Sequence, residues 1–119
     1  MQSGKHGKIA EVFGVRVNMV LIFVSFETKR DAEMVANYLV DKRLAACVII
    51  FPVHSFYRWK GKKLTPKEFE AIIKTKRENF KKIQEEIEKS LPYEIPQIIA
   101  VEAKQVNEKY LKWLRSEVK

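Results

Sequence analysis

Cysteine is all but missing: Cys47 stands alone in 119 residues. No internal disulfide can form, so the small disulfide-stapled class is excluded, and a reducing, cytoplasmic setting is expected. Long apolar runs are missing as well. The longest, "MVLIFV" and "AACVIIFPV", fall far short of the roughly 20 residues of a membrane-spanning helix, so no membrane partner is expected. The first 18 residues contain Glu11 and Arg16 and no continuous apolar stretch, unlike a secretory leader. They are expected to be an N-terminal arm, flexible or an upstream-start extension, ahead of one domain over 19–119. Only four glycines occur, none of them in a phosphate-cradling loop, and no serine sits in a nucleophile elbow. Histidine is limited to His6 and His54, with no CxxC, no HxxxH and no Asp-rich calcium loop. Finally, acidic residues are absent from Ala45 to Lys67, where five basic ones occur.

Hydrophobic residues make up 46% of the chain, enough for one core in a chain of single-domain length. The net charge of +8 fits either an anionic partner or simple solubility. Residues 19–26, "MVLIFVSF", read as a central strand buried on both faces. Thr28 with Asp31 three residues on resembles a capping box. Ala32, Val35, Ala36, Leu39 and Val40 follow at helical spacing, predicting a helix that ends near Leu44. "AACVIIFPVHSFYRWK" reads as one long strand with Pro52 at a bend or an edge position, and Gly61 as its turn. "EFEAIIKT" alternates on the return, with Phe69, Ala71 and Ile73 on one face and Glu68, Glu70 and Lys74 on the other. Thr75 and Glu78 repeat the first cap ahead of a second helix striped by Phe80, Ile83, Ile87 and Leu91 and stopped by Pro92. "IPQIIAVEA" is a last strand, and Asn107 a cap for a last helix. This order predicts an α+β, ferredoxin-like βαββαβ sandwich with a long central hairpin and a C-terminal helix, the helices on one face of an antiparallel sheet. Ile49, Phe51, Val53, Tyr57 and Trp59 would then form an uncovered face too apolar for water, which calls for a homo-oligomer.

The stretch "HSFYRWKGKK" alternates rings and cations, and a basic sheet with exposed rings is one way single-stranded nucleic acid is bound. That makes a nucleic-acid-binding module the alternative reading. The aromatic motif of RNA-recognition domains is absent, however, and the strand that should carry it holds two glutamates. Alternation also places Tyr57 and Trp59 opposite Phe56 and Arg58, so rings and cations need not serve one task. Cys47 and His54 lie an odd number of residues apart and face opposite ways in an unbroken strand.

"RLAACV" at 43–48, then Ser55, Tyr57, Trp59, Gly61-Lys62, Glu68, Lys74-Thr75, "PYEIP" at 92–96 and "YLKW" at 110–113 together resemble the CutA divalent-cation-tolerance family, in one order from about Val20 to Val118. The resemblance implies a compact, non-enzymatic homotrimer with inward-facing sheets and a cleft between subunits. By the family pattern Cys47, Tyr57, Trp59, Glu68, Lys74, Tyr93 and Trp113 line that cleft, with Glu94 beside them. It implies tolerance to copper and other divalent metals. A divalent metal ion such as copper, or a small anionic ligand, is the implied occupant, and no catalytic residue is implied. Cys47 is the implied metal ligand, because Leu91 replaces a frequent family histidine, Val24 and Ser25 stand where some members carry a thiol, and Ile49 replaces a usual asparagine. The family's best soft ligands are thereby reduced to one.

Overall fold

The structure, a computed structural model, describes residues 17–119. The expected arm lies outside these residues except for its last two. Val17 is buried, and the Asn18 side chain accepts from the Arg77 N–H and donates to Glu78.

The described elements are β1 (Val20–Phe26), α1 (Lys29–Asp41), β2 (Cys47–His54), β3 (Tyr57–Trp59), β4 (Lys62–Leu64), β5 (Lys67–Thr75), a 3₁₀ turn at Arg77–Asn79, α2 (Phe80–Ser90), β6 (Ile98–Glu102) and α3 (Glu108–Glu117). The main sheet has the order β2-β5-β1-β6 and is antiparallel throughout. β1 occupies an interior position, as its apolar composition requires, but its burial alternates. Val20, Ile22, Val24 and Phe26 are buried, while Leu21, Phe23 and Ser25 are half-buried. One face therefore meets α1 and α2, through Ala32, Val35, Leu39, Ile83 and Ile87. The other face is only partly covered.

That partial cover is α3. Leu111, Leu114 and Val118 pack with Val17, Met19 and the open-face residue Leu21. The third helix thus sits against the side of the sheet away from α1 and α2, at one end. The expectation of all helices on one face is corrected here. A short amphipathic helix at the chain's end goes wherever apolar sheet surface remains, and α1 and α2 already fill the other face.

Element ends differ from the sequence reading in three places, each for a local reason. At Thr28 the cap forms as expected, its hydroxyl accepting from the Asp31 N–H at 3.0 Å. α1 stops at Asp41 rather than near Leu44. Arg43 takes a left-handed φ of 61°, and the N–H groups of Arg43 and Leu44 bond back to Val40 and Leu39 at 3.0 and 2.9 Å. This is a Schellman ending in which an arginine fills the place glycine usually holds. Thr75 is not a second cap. It pairs with Val20 as the last residue of β5, fully buried, donating to the Leu44 carbonyl at 2.6 Å and accepting from Asn79 Nδ2 at 3.1 Å.

The long hairpin is divided as well. The β2–β5 ladder ends at His54↔Lys67 and pairing resumes only at Tyr57↔Leu64, as a separate two-stranded sheet. Pro66, which has no N–H to give, lies opposite Ser55 and only accepts from it at 3.0 Å, so the ladder lapses there. Pro52 is accommodated because β2 is an edge strand. Lys60 and Gly61, at φ 50° and 81°, close the tip as a two-residue turn with both φ positive.

Candidate functional site

The open sheet face is built from registered rows. Cys47, Lys74, Leu21 and Val101 form one row, Ile49, Ile72, Phe23 and Ile99 the next, and Phe51, Glu70 and Ser25 the third. The middle row and its neighbours are apolar and wet: Ile99 is 52% exposed, Val101 47%, Ile49 40% and Phe51 37%. Ala71 and Ile73, on the same strand but the other face, are at most 1% exposed.

Within one chain the expected site residues fall into separate groups. Cys47 and Lys74 are cross-strand partners, half-buried. The Lys74 ammonium lies 5.6 Å from the Tyr110 ring centre, and that ring is 5.4 Å from Trp113. These four make one cluster at the α3 end of the open face. Glu68 sits six residues from Lys74 along β5, about 20 Å away at ~3.4 Å per residue, opposite Val53.

Trp59 and Tyr57 are on the hairpin face that also carries Leu64. Glu94 is exposed and joined to the hairpin tip by Lys60 at 3.3 Å. The Lys60 ammonium also lies 5.6 Å from the Trp59 ring centre. Tyr93 turns toward the helix layer instead. Its hydroxyl donates to Asp31 at 2.5 Å and accepts from the Glu27 N–H at 2.9 Å. Burial, helped by the Asp31 bond, pushes its pKa well above the usual tyrosine range.

Three groups carried no clear sequence signal. Ser25 and Gln97 both donate to Glu70, at 2.6 and 3.0 Å, fixing that carboxylate on the apolar face. The one hint was Ser25, which breaks an otherwise apolar strand on its open side. Asp31 was read as a capping residue, and its bond to Tyr93 was invisible at a separation of 62 positions. Arg43 clamps α3 by donating to the carbonyls of Ser116 and Glu117 at 2.7 and 3.0 Å, where a helix end favours a cation.

Among the described residues, no divalent-metal site is assembled within a single chain. Among the described residues no three His, Cys, Asp or Glu side chains converge to hold an ion. Cys47 has a lysine as its registered partner, a poor neighbour for a cation. His54 bonds the Thr65 carbonyl at 3.0 Å and stacks beside Phe56, and His6 lies outside the described residues.

Comparison with known proteins decides the family. The family model described as "CutA1 divalent ion tolerance protein" matches residues 20–117. The chain belongs to the CutA family. The divalent-cation tolerance protein CutA of Pyrococcus horikoshii is 38% identical over 101 residues, 85% of this chain and 99% of that protein. That of Thermotoga maritima is 38% identical over 100 residues, 84% of this chain and 99% of that protein. Among solved structures, the Archaeoglobus fulgidus CutA, described as a periplasmic divalent cation tolerance protein, superimposes with a TM-score of 0.82 at 34% identity, covering 85% of this chain and 99% of that one. These matches establish the α+β sandwich and the CutA resemblance seen in the sequence, and they lend the nucleic-acid alternative no support.

They also overturn the cytoplasmic expectation. CutA relatives include this periplasmic protein and the chloroplastic CutA proteins of rice and Arabidopsis thaliana. The reason is simple: a chain with one cysteine has no internal disulfide in any compartment, so its cysteine count does not report the compartment. No described helix is long and apolar enough to cross a membrane.

Proposed function

We propose that this CutA chain acts in divalent-cation tolerance as a non-enzymatic homotrimer, with its ligand held in clefts between subunits. The observation that carries the reading is the open sheet face, whose exposed Ile49, Phe51, Ile99 and Val101 make the kind of apolar surface that marks an interaction site. Burial against other copies removes it from water at ~25 cal/mol per Å².

The scatter of the candidate residues supports the same reading. One end of the chain carries Cys47, Lys74 and Trp113, and the other carries Tyr57, Trp59 and Glu94. A cleft between copies joins one chain's hairpin end to the next chain's α3 end. In such a cleft Glu68 and Glu94 suit a divalent cation of the copper type, Cys47 adds a soft ligand, and Lys74 suits a small anionic ligand. Tyr57, Trp59 and Trp113 supply the walls, while Tyr93 is held on the helix-layer side by Asp31. Occupancy of the cleft would then be read by a partner in a metal response.

Native mass spectrometry and sedimentation velocity test the assembly, and a stable monomer at micromolar concentration rejects it. Calorimetric titration of the assembled protein with copper(II) and with zinc(II) tests the ligand. Saturable binding lost in Cys47→Ser and Glu68→Gln is expected, and heats no larger than dilution reject the cation.

A further inference from the structure

We infer that Tyr110 positions the Lys74 ammonium on the open sheet face, and that the two form with Trp113 a subsite for the carboxylate or phosphate group of a small flat ligand. The inference rests on the cleft reading above and adds to it the residue that aims Lys74 and the class of ligand. Leu111, Leu114 and Val118 fasten α3 to Met19 and Leu21, which brings Tyr110 over the end of β5. The Lys74 ammonium lies 5.6 Å from the Tyr110 ring centre, within cation–π reach. Trp113 lies 5.4 Å from the same ring, tilted by 41°, and stays 43% exposed. It offers a flat apolar wall near the cation.

Lys74 has no counter-charge within the chain. It is half-buried, and among the described residues its ammonium makes no ion pair and no hydrogen bond, the Tyr110 ring being its one partner. The carboxylates around it are engaged, distant or turned away. Glu70, on the same face four residues along β5, is about 14 Å off at ~3.4 Å per residue and accepts from Ser25 and Gln97. Glu102 is held by Arg77, in the row of the buried Val20 and Thr75 on the helix side. α3 carries Glu108 and Glu117 against Lys109, Lys112 and Arg115, so it brings no excess of negative charge. Burial by a neighbouring copy makes a bare ammonium costlier still, and a bound oxyanion offsets that cost. Lysine acts as a point charge without the planar fork of arginine, so carboxylate and phosphate fit alike. The flat body of the ligand then lies against Trp113.

The test is isothermal titration calorimetry of the full chain, metal-free and at low salt, with benzoate and phenyl phosphate as probes. Neutral benzamide and cationic benzylamine serve for comparison. Saturable binding of at least one anion, tenfold or more tighter than benzamide, is expected, with none of benzylamine. The tighter of the two anions tells carboxylate from phosphate. Lys74→Gln should erase the preference for the anion, and Lys74→Arg should keep it. Tyr110→Phe, which retains the ring, should bind within twofold of wild type. Tyr110→Leu should weaken the anion fivefold or more and leave benzamide unchanged. Unchanged circular dichroism confirms that the variants fold. Equal affinity for benzoate and benzamide, wild-type binding by Tyr110→Leu, or no saturation by either anion overturns the inference. If saturation fails while sedimentation shows an assembled protein that Lys74→Gln weakens, a carboxylate of the neighbouring copy answers Lys74, and the inference falls while the assembly reading stands. The whole cluster lies within one chain, so a monomer that binds the anions through Lys74 upholds the inference while the assembly reading fails.

Discussion

At the residue scale, Tyr93 shows how one hydroxyl joins distant parts of the chain. It ties the segment after α2 to the start of α1 by donating to Asp31 and accepting from the Glu27 N–H. Removing the hydroxyl by Tyr93→Phe should cost about 1.5–3 kcal/mol, the usual value of a hydrogen bond to a charged partner, measured by urea unfolding at pH 7. The pH dependence has a definite sign. A phenol whose pKa rises on folding holds its proton more firmly in the folded state. Its contribution is complete below the unfolded value near 10 and fades as the pH climbs from there toward the higher folded value. Wild type should therefore lose stability above about pH 10, and Tyr93→Phe should lose less over the same interval. Equal alkaline slopes for the two proteins would count against this assignment. Thr75 is the buried counterpart: its hydroxyl, with Asn79, satisfies the Leu44 carbonyl, so a residue that reads as a helix cap acts as a bolt between two loops.

Arg43 is best understood at the element scale, because it serves two helices. Its left-handed backbone ends α1, at a strain of roughly 1 kcal/mol for a non-glycine residue, while its guanidinium closes the last turn of α3. Arg43→Gly should relieve the first and abolish the second. Global stability should change by less than about 1 kcal/mol, since relief and loss are of similar size. Amide exchange in the last turn of α3 should nevertheless speed up several-fold, while exchange in α1 stays unchanged. Faster exchange in both helices, or in neither, would refute the division of labour. Conformational choice also governs the hairpin, where Gly61 at φ 81° closes the tip with nothing crowding its α-carbon. Glycine is there for its backbone freedom and not for lack of space.

The whole-molecule scale turns on the uncovered sheet face. Ile49 lies in the middle row of that face, on the edge strand β2, and is already 40% exposed, so Ile49→Asp places little new charge inside a single chain. It should leave the fold intact by circular dichroism yet shift the protein to monomer in sedimentation velocity. Trp59→Ala should weaken assembly before it affects any ligand, since Trp59 belongs to the hairpin end that reaches the neighbouring copy in the proposed trimer. Unaltered assembly in both variants would remove the argument from apolar exposure. The polar cluster of Glu70 with Ser25 and Gln97 sits on this same face, each carboxylate oxygen accepting one hydrogen bond.

Much of this architecture was legible in the residue pattern alone. Period-2 alternation in "EFEAIIKT" assigned each side chain of β5 to its face, and helical spacing located Ala32, Val35 and Leu39 in the core, because both follow from backbone geometry over a few residues. The types of the candidate site residues, and their family, were equally readable. What only the tertiary structure decided rests on contacts between distant positions. The end of α1 depended on an arginine adopting a glycine-like conformation while holding α3, 73 and 74 residues away. The break in the hairpin depended on Pro66 falling opposite Ser55. The side chosen by α3, and the separation of Cys47 and Lys74 from Glu94 and Trp59, depended on which apolar surface the earlier elements had left uncovered. Local sequence determines what each segment can form, because backbone preferences act within a turn or two. Packing decides which segments meet, because burial is shared among surfaces that no local stretch contains.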